Sequence, residues 1–184
     1  MKKNKRRCFW CGDDPLYVNY HDAEWGEPIR DDAKLFEQLT LEGAQAGLSW
    51  LIILRKRENY RKAFAQFDPK KIARFKETKI NKLILDPGII RHRGKIISTV
   101  NNAKIFLTIQ QEYGSFSQWL WDHARENKIR HRLKSSTSPL ALKLSKDLKR
   151  RGMKFVGPSI MHAFLQAVGV FSDHQLECWK FSKK

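Results

Sequence analysis

The stretch SPLALKLSKDLKRRGMKFVGPSIMHAFLQAVG, residues 138–169, constrains the fold more than any other. Ser138 is a capping residue, Pro139 suits a first helical position, and Leu140, Leu144 and Leu148 form one stripe that stops at Gly152. MKFVG predicts a short hairpin. Pro158 then opens a second helix with Ile160, Met161, Phe164, Leu165 and Val168 on its apolar side, closed by Gly169. The pattern reads helix, hairpin, helix at about 139–168. Gly157 lets backbone approach an anion at the start of the second helix, where unpaired N–H groups and the helix dipole favour negative charge. Lys149, Arg150, Arg151 and Lys154 surround it. Any antiparallel helix pair carries such a pattern, so spacing alone leaves plain core packing and nucleic-acid binding both open.

The same punctuation recurs along the chain. In DDAKLFEQLTLEGAQAG, Leu35, Leu39, Glu42 and Ala46 fall on one face of a helix ending at Gly47. SWLIILRKRENYRKAFAQF follows with Ser49 as cap and Trp50, Ile53, Tyr60 and Phe64 as its inward stripe. Asp68 and Pro69 restart a helix, Thr78 is expected to cap a short one through Ile80, Leu83 and Ile84, and DPG at 86–88 breaks the chain. A long helix is expected from about Lys95 to Gly114, with Ile96, Val100, Ala103 and Phe106 on its face. Few strand-like alternations compete, so the fold class is all-α. The length predicts one domain over 1–184, arranged as two small helical lobes, and the polar, basic residues 125–139 read as a surface connection between them.

Charge decides the class of partner. Lys and Arg number 36 against 19 Asp and Glu, a net +17 on a chain that is 41% hydrophobic and so able to bury a core. That excess points to a polyanion, with nucleic acid ahead of an anionic membrane surface and a merely basic soluble protein as the plainer alternative. No apolar run has membrane-spanning length, no stretch resembles a cleavable signal, and three cysteines cannot all pair; a cytoplasmic protein without disulfides is expected. No phosphate-cradling Gly-Lys-Ser/Thr loop or dinucleotide fingerprint occurs.

Two local features carry chemistry. Cys8, Cys11 and His21 lie near one end and His174 and Cys178 near the other, the latter pair at a spacing that puts both on one side of a helical turn. Two ligands from each end would make a tetrahedral Cys2His2 zinc site, although the spacing is not that of a zinc finger and ordinary residues of a C-terminal turn would look the same. Glu42 is the second feature. Its place on an apolar stripe turns a carboxylate inward, which demands a partner; a buried salt bridge or a helix-end position would equally satisfy it. Trp50, Trp10, Tyr20 and Trp25 supply aromatic faces, either as core filling or, with Glu42, as a pocket for a flat cationic ring.

DPLYVNYHDAEWG, LEGAQAGLSW, RKRENYRKAF, GIIRHRGKI, RGMKFVG and DHQLEC, in this order across residues 8–178, together closely resemble the 3-methyladenine DNA glycosylase I family of bacterial base-excision repair enzymes. The resemblance implies an all-helical helix-hairpin-helix glycosylase fold whose termini are joined by a structural zinc ion on Cys8, His21, His174 and Cys178, with Cys11 outside the quartet. It implies that Glu42 selects a methylated adenine flipped out of double-stranded DNA, that Tyr20 and Trp50 hold the base with Trp10 and Trp25 as further walls, and that free 3-methyladenine is the product. Gly47 and Leu48 match the place where the family fills the gap left by the flipped nucleotide. Asp173 lies roughly where other branches of the superfamily use an aspartate, and it stands as a minor candidate. GPSIMHAF lacks the lysine that strand-cutting relatives place after the hairpin glycine, and three cysteines are too few for an iron–sulfur cluster, so a monofunctional enzyme without such a cluster is expected, with a monomer as the default expectation. A noncatalytic nucleic-acid binder and a glycosylase of different alkylpurine range are the alternatives.

Overall fold

Three helices start the same way, on an acceptor side chain followed by proline. Asp14, Asp68 and Ser138 each accept from backbone N–H groups of the first turn, and Pro15, Pro69 and Pro139 follow them. The computed structural model describes residues 5–126 and 136–181. The elements are α1 (Pro15–Ala23), α2 (Asp32–Gln45), α3 (Trp50–Ala63), α4 (Pro69–Ile72), α5 (Glu77–Leu85), α6 (Arg93–Tyr113), α7 (Phe116–Glu126), α8 (Pro139–Arg150) and α9 (Pro158–Ala167). Among the described residues there is no strand, as the all-α expectation requires. Most of the expected connection at 125–139, residues 127–135, lies outside the described residues.

The apolar stripes meet in one core. Helix α2 packs against α3, α6, α7 and α9, so its buried Leu35, Phe36, Leu39 and Leu41 sit at the centre. Leu140, Leu144 and Leu148 of α8 are fully buried opposite Met161, Phe164 and Leu165 of α9. Burying each such side chain contributes about 1.5–3 kcal/mol. No helix among the described residues is long and apolar enough to cross a membrane.

Several boundaries differ from the sequence expectation for local reasons. Helix α5 begins at Glu77 after Lys76, so Thr78 lies inside the first turn instead of capping it. Ser49 holds the cap position of α3 but makes no capping hydrogen bond. Helix α6 starts earlier than Lys95 because His92 Nδ1 accepts from the Lys95 N–H at 3.1 Å. Helix α7 is capped twice: locally Ser115 Oγ accepts from the Gln118 N–H at 2.9 Å, and a second cap comes from elsewhere. Asp32, at the start of α2, accepts from the backbone of Phe116 at 2.9 Å and Ser117 at 2.8 Å, and from the Gln110 side chain at 2.6 Å.

The α8–α9 connection is not a paired hairpin, since it carries no strand ladder. Side chains from other elements stitch it instead. Asn102 of α6 both donates to the Lys154 carbonyl and accepts from its N–H, at 2.8 and 3.0 Å, and Ser145 donates to the Val156 carbonyl at 2.7 Å. Phe155 takes a positive φ of 54° and packs over Gly43 of α2, where an added Cβ would meet Phe155 at 3.2 Å. At Gly169 a Cβ would lie 2.5 Å from the backbone of Glu27 and Pro28, so only glycine fits where α9 ends.

Candidate functional site

Helix spacing builds the pocket. On α1, Tyr17 and Tyr20 stand three residues apart on one face, and on α2, Glu42 and Gln45 do the same. Trp50 opens α3, Ala163 and Gln166 of α9 close another side, and Trp10 and Trp25 complete a cavity of about 190 Å³. The rings interlock: Trp10 lies 4.9 Å from Trp25 and 5.2 Å from Tyr17, and Tyr20 lies 5.5 Å from Trp50. Cavities for drug-sized ligands run from roughly 300 to 1,000 Å³, so this one suits a single flat ring system.

The pocket brings together all five residues expected from the sequence: Glu42, Tyr20, Trp50, Trp10 and Trp25. Tyr17, Gln45, Ala163 and Gln166 were not anticipated. For Tyr17 the signal was present, three residues before Tyr20 in a helix announced by Asp14 and Pro15; Ala163 and Gln166 arrive only when α9 docks.

Glu42 is 4% exposed and, among the described residues, in no salt bridge. The Gln38 side-chain amide, one turn earlier on α2, donates to its Oε1 at 2.9 Å. Desolvation pushes the Glu42 carboxyl up to about 8, against a lowering influence from the Gln38 hydrogen bond. The Trp50 indole N–H is also buried, with no hydrogen-bond partner among the described residues. Such orphaned polar groups are rare in native interiors and are expected where a ligand will meet them.

Beside the pocket the two ends of the chain converge. One donor atom from each of Cys8, His21, His174 and Cys178 lies within 4.8 Å of the others, and all four residues are buried. Cys178 Sγ is 3.4 Å from His21 Nε2 and 3.6 Å from His174 Nδ1, and Cys8 Sγ is 3.6 Å from His174 Nδ1. Thiolate and imidazole ligands at 2.3 and 2.0–2.1 Å from a tetrahedral zinc would stand about 3.5 Å apart, so the donor set fits such an ion. Asp22 accepts from His21 Nδ1 at 2.8 Å and takes a two-pronged bond from Arg7, which leaves His21 Nε2 turned to the cluster. Arg7 holds the Asp22 carboxyl well below the usual range. Cys11 is buried but bonds the Gly12 carbonyl and stays outside the cluster. Residues 173–178 form an irregular turn, so His174 and Cys178 meet without the helical turn their spacing suggested.

Cluster and pocket share walls. Trp25 sits edge-on to His174 at 4.7 Å, and Trp10 lies 5.3 Å from His21. Asp173 is turned into the protein, where it accepts from Gln166 at 2.7 Å and lies 3.9 Å from His162 Nε2.

The remaining expected residues lie on exposed turns. Gly47 has a φ of +79° after α2, and Leu48 is 37% exposed. Lys95 braces this turn by donating to the carbonyls of Ala44 and Ala46 at 2.8 and 2.7 Å, a cation at the negative end of α2. Lys154 is exposed, and Gly157 caps α9 with open space where a Cβ would stand. Arg150 and Arg151 are less available than their sequence position suggested, because both pair with Asp147 and Arg151 also pairs with Glu112.

The chain matches the family described as methyladenine glycosylase over residues 10–181. It is 46% identical over 177 residues to DNA-3-methyladenine glycosylase 1 of Escherichia coli strain K12, covering 94% of this chain and 95% of that one. Among solved structures, 3-methyladenine DNA glycosylase I from Staphylococcus aureus, studied for 3-methyladenine recognition, superposes with a TM-score of 0.90 at 40% identity and 97% coverage of each chain. A point variant of a 3-methyladenine DNA glycosylase I in complex with 3-methyladenine gives 0.88 at 40% identity, covering 94% of this chain and 95% of that one.

Proposed function

The chain belongs to the methyladenine glycosylase family, and from that membership and the chemistry of its pocket we infer that it is a DNA glycosylase that excises 3-methyladenine from alkylated DNA. The observation that carries this reading is the buried Glu42 carboxyl in the lining of a base-sized aromatic cavity.

N3-methylation makes the adenine cationic while it is attached to deoxyribose. The bond from C1′ to the base breaks with its electron pair going to the ring, the base leaves as neutral 3-methyladenine, and water supplies the hydroxyl at C1′ while its other proton is released to solvent. The leaving group is already good, so the protein's task is to extrude and select it. Glu42 accepts hydrogen bonds from the base, and a cation in the pocket restores the carboxylate that burial otherwise disfavours. Trp50 and Tyr20 stack on the ring, with Trp10 and Trp25 as walls; cation–π contact in a desolvated site contributes up to about 2 kcal/mol. No lysine lines the pocket among the described residues, which supports hydrolysis without strand cleavage through a Schiff base.

The DNA-facing surface in this reading runs from Gly47 and Leu48, an apolar wedge on a braced turn, to Lys154 and Gly157 at the α8–α9 helix-hairpin-helix, where the start of α9 faces a phosphate. Cys8, His21, His174 and Cys178 would hold one zinc ion, structural in role because four protein ligands leave no position for water. The whole chain acts as one catalytic domain. Incubation with methylated duplex DNA should release 3-methyladenine in preference to 7-methylguanine and 3-methylguanine, measured by chromatography of the freed bases. Absence of free 3-methyladenine would overturn the assignment.

A further inference from the structure

We propose that Gln38 is a positioning residue for base recognition: its amide fixes the Glu42 carboxylate through Oε1 and leaves Oε2 for the cationic base. The inference rests on the placement of Glu42 in the base site and deepens it.

The geometry leaves Gln38 little alternative. It is buried, one helical turn before Glu42, and its 2.9 Å bond joins the two side chains inside α2. Gln38 does not line the base pocket but borders a second cavity of about 590 Å³, which Glu42 in turn does not line, so their hydrogen bond links the linings of the two cavities. Three arginines and Lys34 line that cavity; Arg57 is paired with Glu24, Arg61 with Glu37 and Glu58, and Arg30 lies over the Trp121 ring at 4.5 Å, while the hydrogen bond that reaches Glu42 comes from the Gln38 amide. The other groups facing the pocket supply no cation. Helix α1 presents Tyr17 and Tyr20, both kept neutral by burial, α3 presents Trp50, and α9 presents Ala163 and Gln166. Lys95 of α6 is spent on the carbonyls that end α2.

A neutral donor suits this task where a cation would not. An arginine would neutralise Glu42 and compete with the charged base, whereas an amide orients the carboxylate and keeps its full negative charge. It also favours the ionised form against the desolvation that opposes it.

The test compares Gln38→Met with wild type in two readouts: the side-chain carboxyl titration of Glu42 by 13C NMR, and the pH dependence of kcat/KM for excision from methylated DNA, where the base is permanently cationic. Loss of the donor should move the Glu42 midpoint up by about one unit, and the ascending limb of kcat/KM should follow, giving about tenfold slower excision at neutral pH that recovers at high pH. Q38L repeats the measurement should Q38M fail to fold. A changed melting temperature with an unmoved Glu42 midpoint, or a moved midpoint with an unmoved rate profile, would overturn the inference. Glu42→Gln separates this from the underlying reading: if E42Q excises at the wild-type rate, the role of Glu42 fails; if E42Q is impaired while Q38M matches wild type, only the role of Gln38 fails.

Discussion

The base pocket and the Cys/His cluster stand side by side and share Trp10 and Trp25, yet they are built on opposite principles. At the cluster each donor atom faces the others and His21 is tied down from behind by Asp22 and Arg7. In the pocket a carboxyl is buried with one neutral donor, and an indole N–H is buried with no partner among the described residues. A site that holds structure together gathers its partner groups from within the protein. A site that selects a ligand leaves its polar groups wanting until the ligand comes.

Breaking the cluster should have the largest effect. Cys178→Ser, or extraction of metal by a chelator, is expected to lower the melting temperature by about 10 °C or more, since structural zinc binding is itself folding free energy. Metal content should fall from one equivalent, and base excision should fall with it because the walls anchored on His21 and His174 loosen. Metal analysis together with calorimetry checks both.

Altering the pocket should do the reverse to stability. Glu42→Gln is expected to cut kcat/KM by about 100-fold, equivalent to about 2.7 kcal/mol, while raising stability near pH 8 by about 1–3 kcal/mol. The sign follows from the raised carboxyl. Between the unfolded value near 4.5 and the folded value near 8, the native state retains a proton that the unfolded chain has released, so wild-type stability declines as pH rises through that window. The stability advantage of E42Q should therefore be small at pH 5 and fully developed above 8. Urea titrations at both pH values test this.

Substitutions at the shared wall and at the edge of the cluster sharpen the contrast. Trp10→Leu should weaken base excision about tenfold through lost ring contact while leaving metal stoichiometry at one. Cys11→Ser should have the smallest effect, with unchanged metal content and a stability loss of about 1 kcal/mol from placing a hydroxyl in a buried apolar site. A fall in zinc content for C11S would mean that the cluster has been read wrongly.

Much of this was legible in the chain, for a physical reason that also marks where legibility ends. Asp68, Ser138, Pro158 and Gly169 act within a turn of where they stand, and helices α4, α8 and α9 begin and end as they indicate. Asp14 and Pro15 gave the same signal for α1. Helix α7 carries a local signal too, Ser115, whose hydroxyl accepts from the Gln118 N–H, but no neighbour in the chain announces Asp32, which takes the Phe116 and Ser117 N–H groups from more than 80 residues away. Glu42 was conspicuous as a carboxylate on an apolar stripe, while Gln38 on the same helix was unremarkable until its amide was seen against Glu42. Asp173, left open by the sequence, proved to be engaged with Gln166 within the protein.

By itself the sequence determined the helical elements, the inward carboxylate and the residues able to hold a metal, because capping, periodicity and ligand type are properties of neighbours in the chain. Spacing left all three cysteines open and the family resemblance implied Cys8 and Cys178; the tertiary structure brings those two together with His21 and His174, and it alone decided which glutamine supports Glu42 and which one lines the pocket. Those pairings depend on packing between elements far apart in the chain, and no local spacing encodes them.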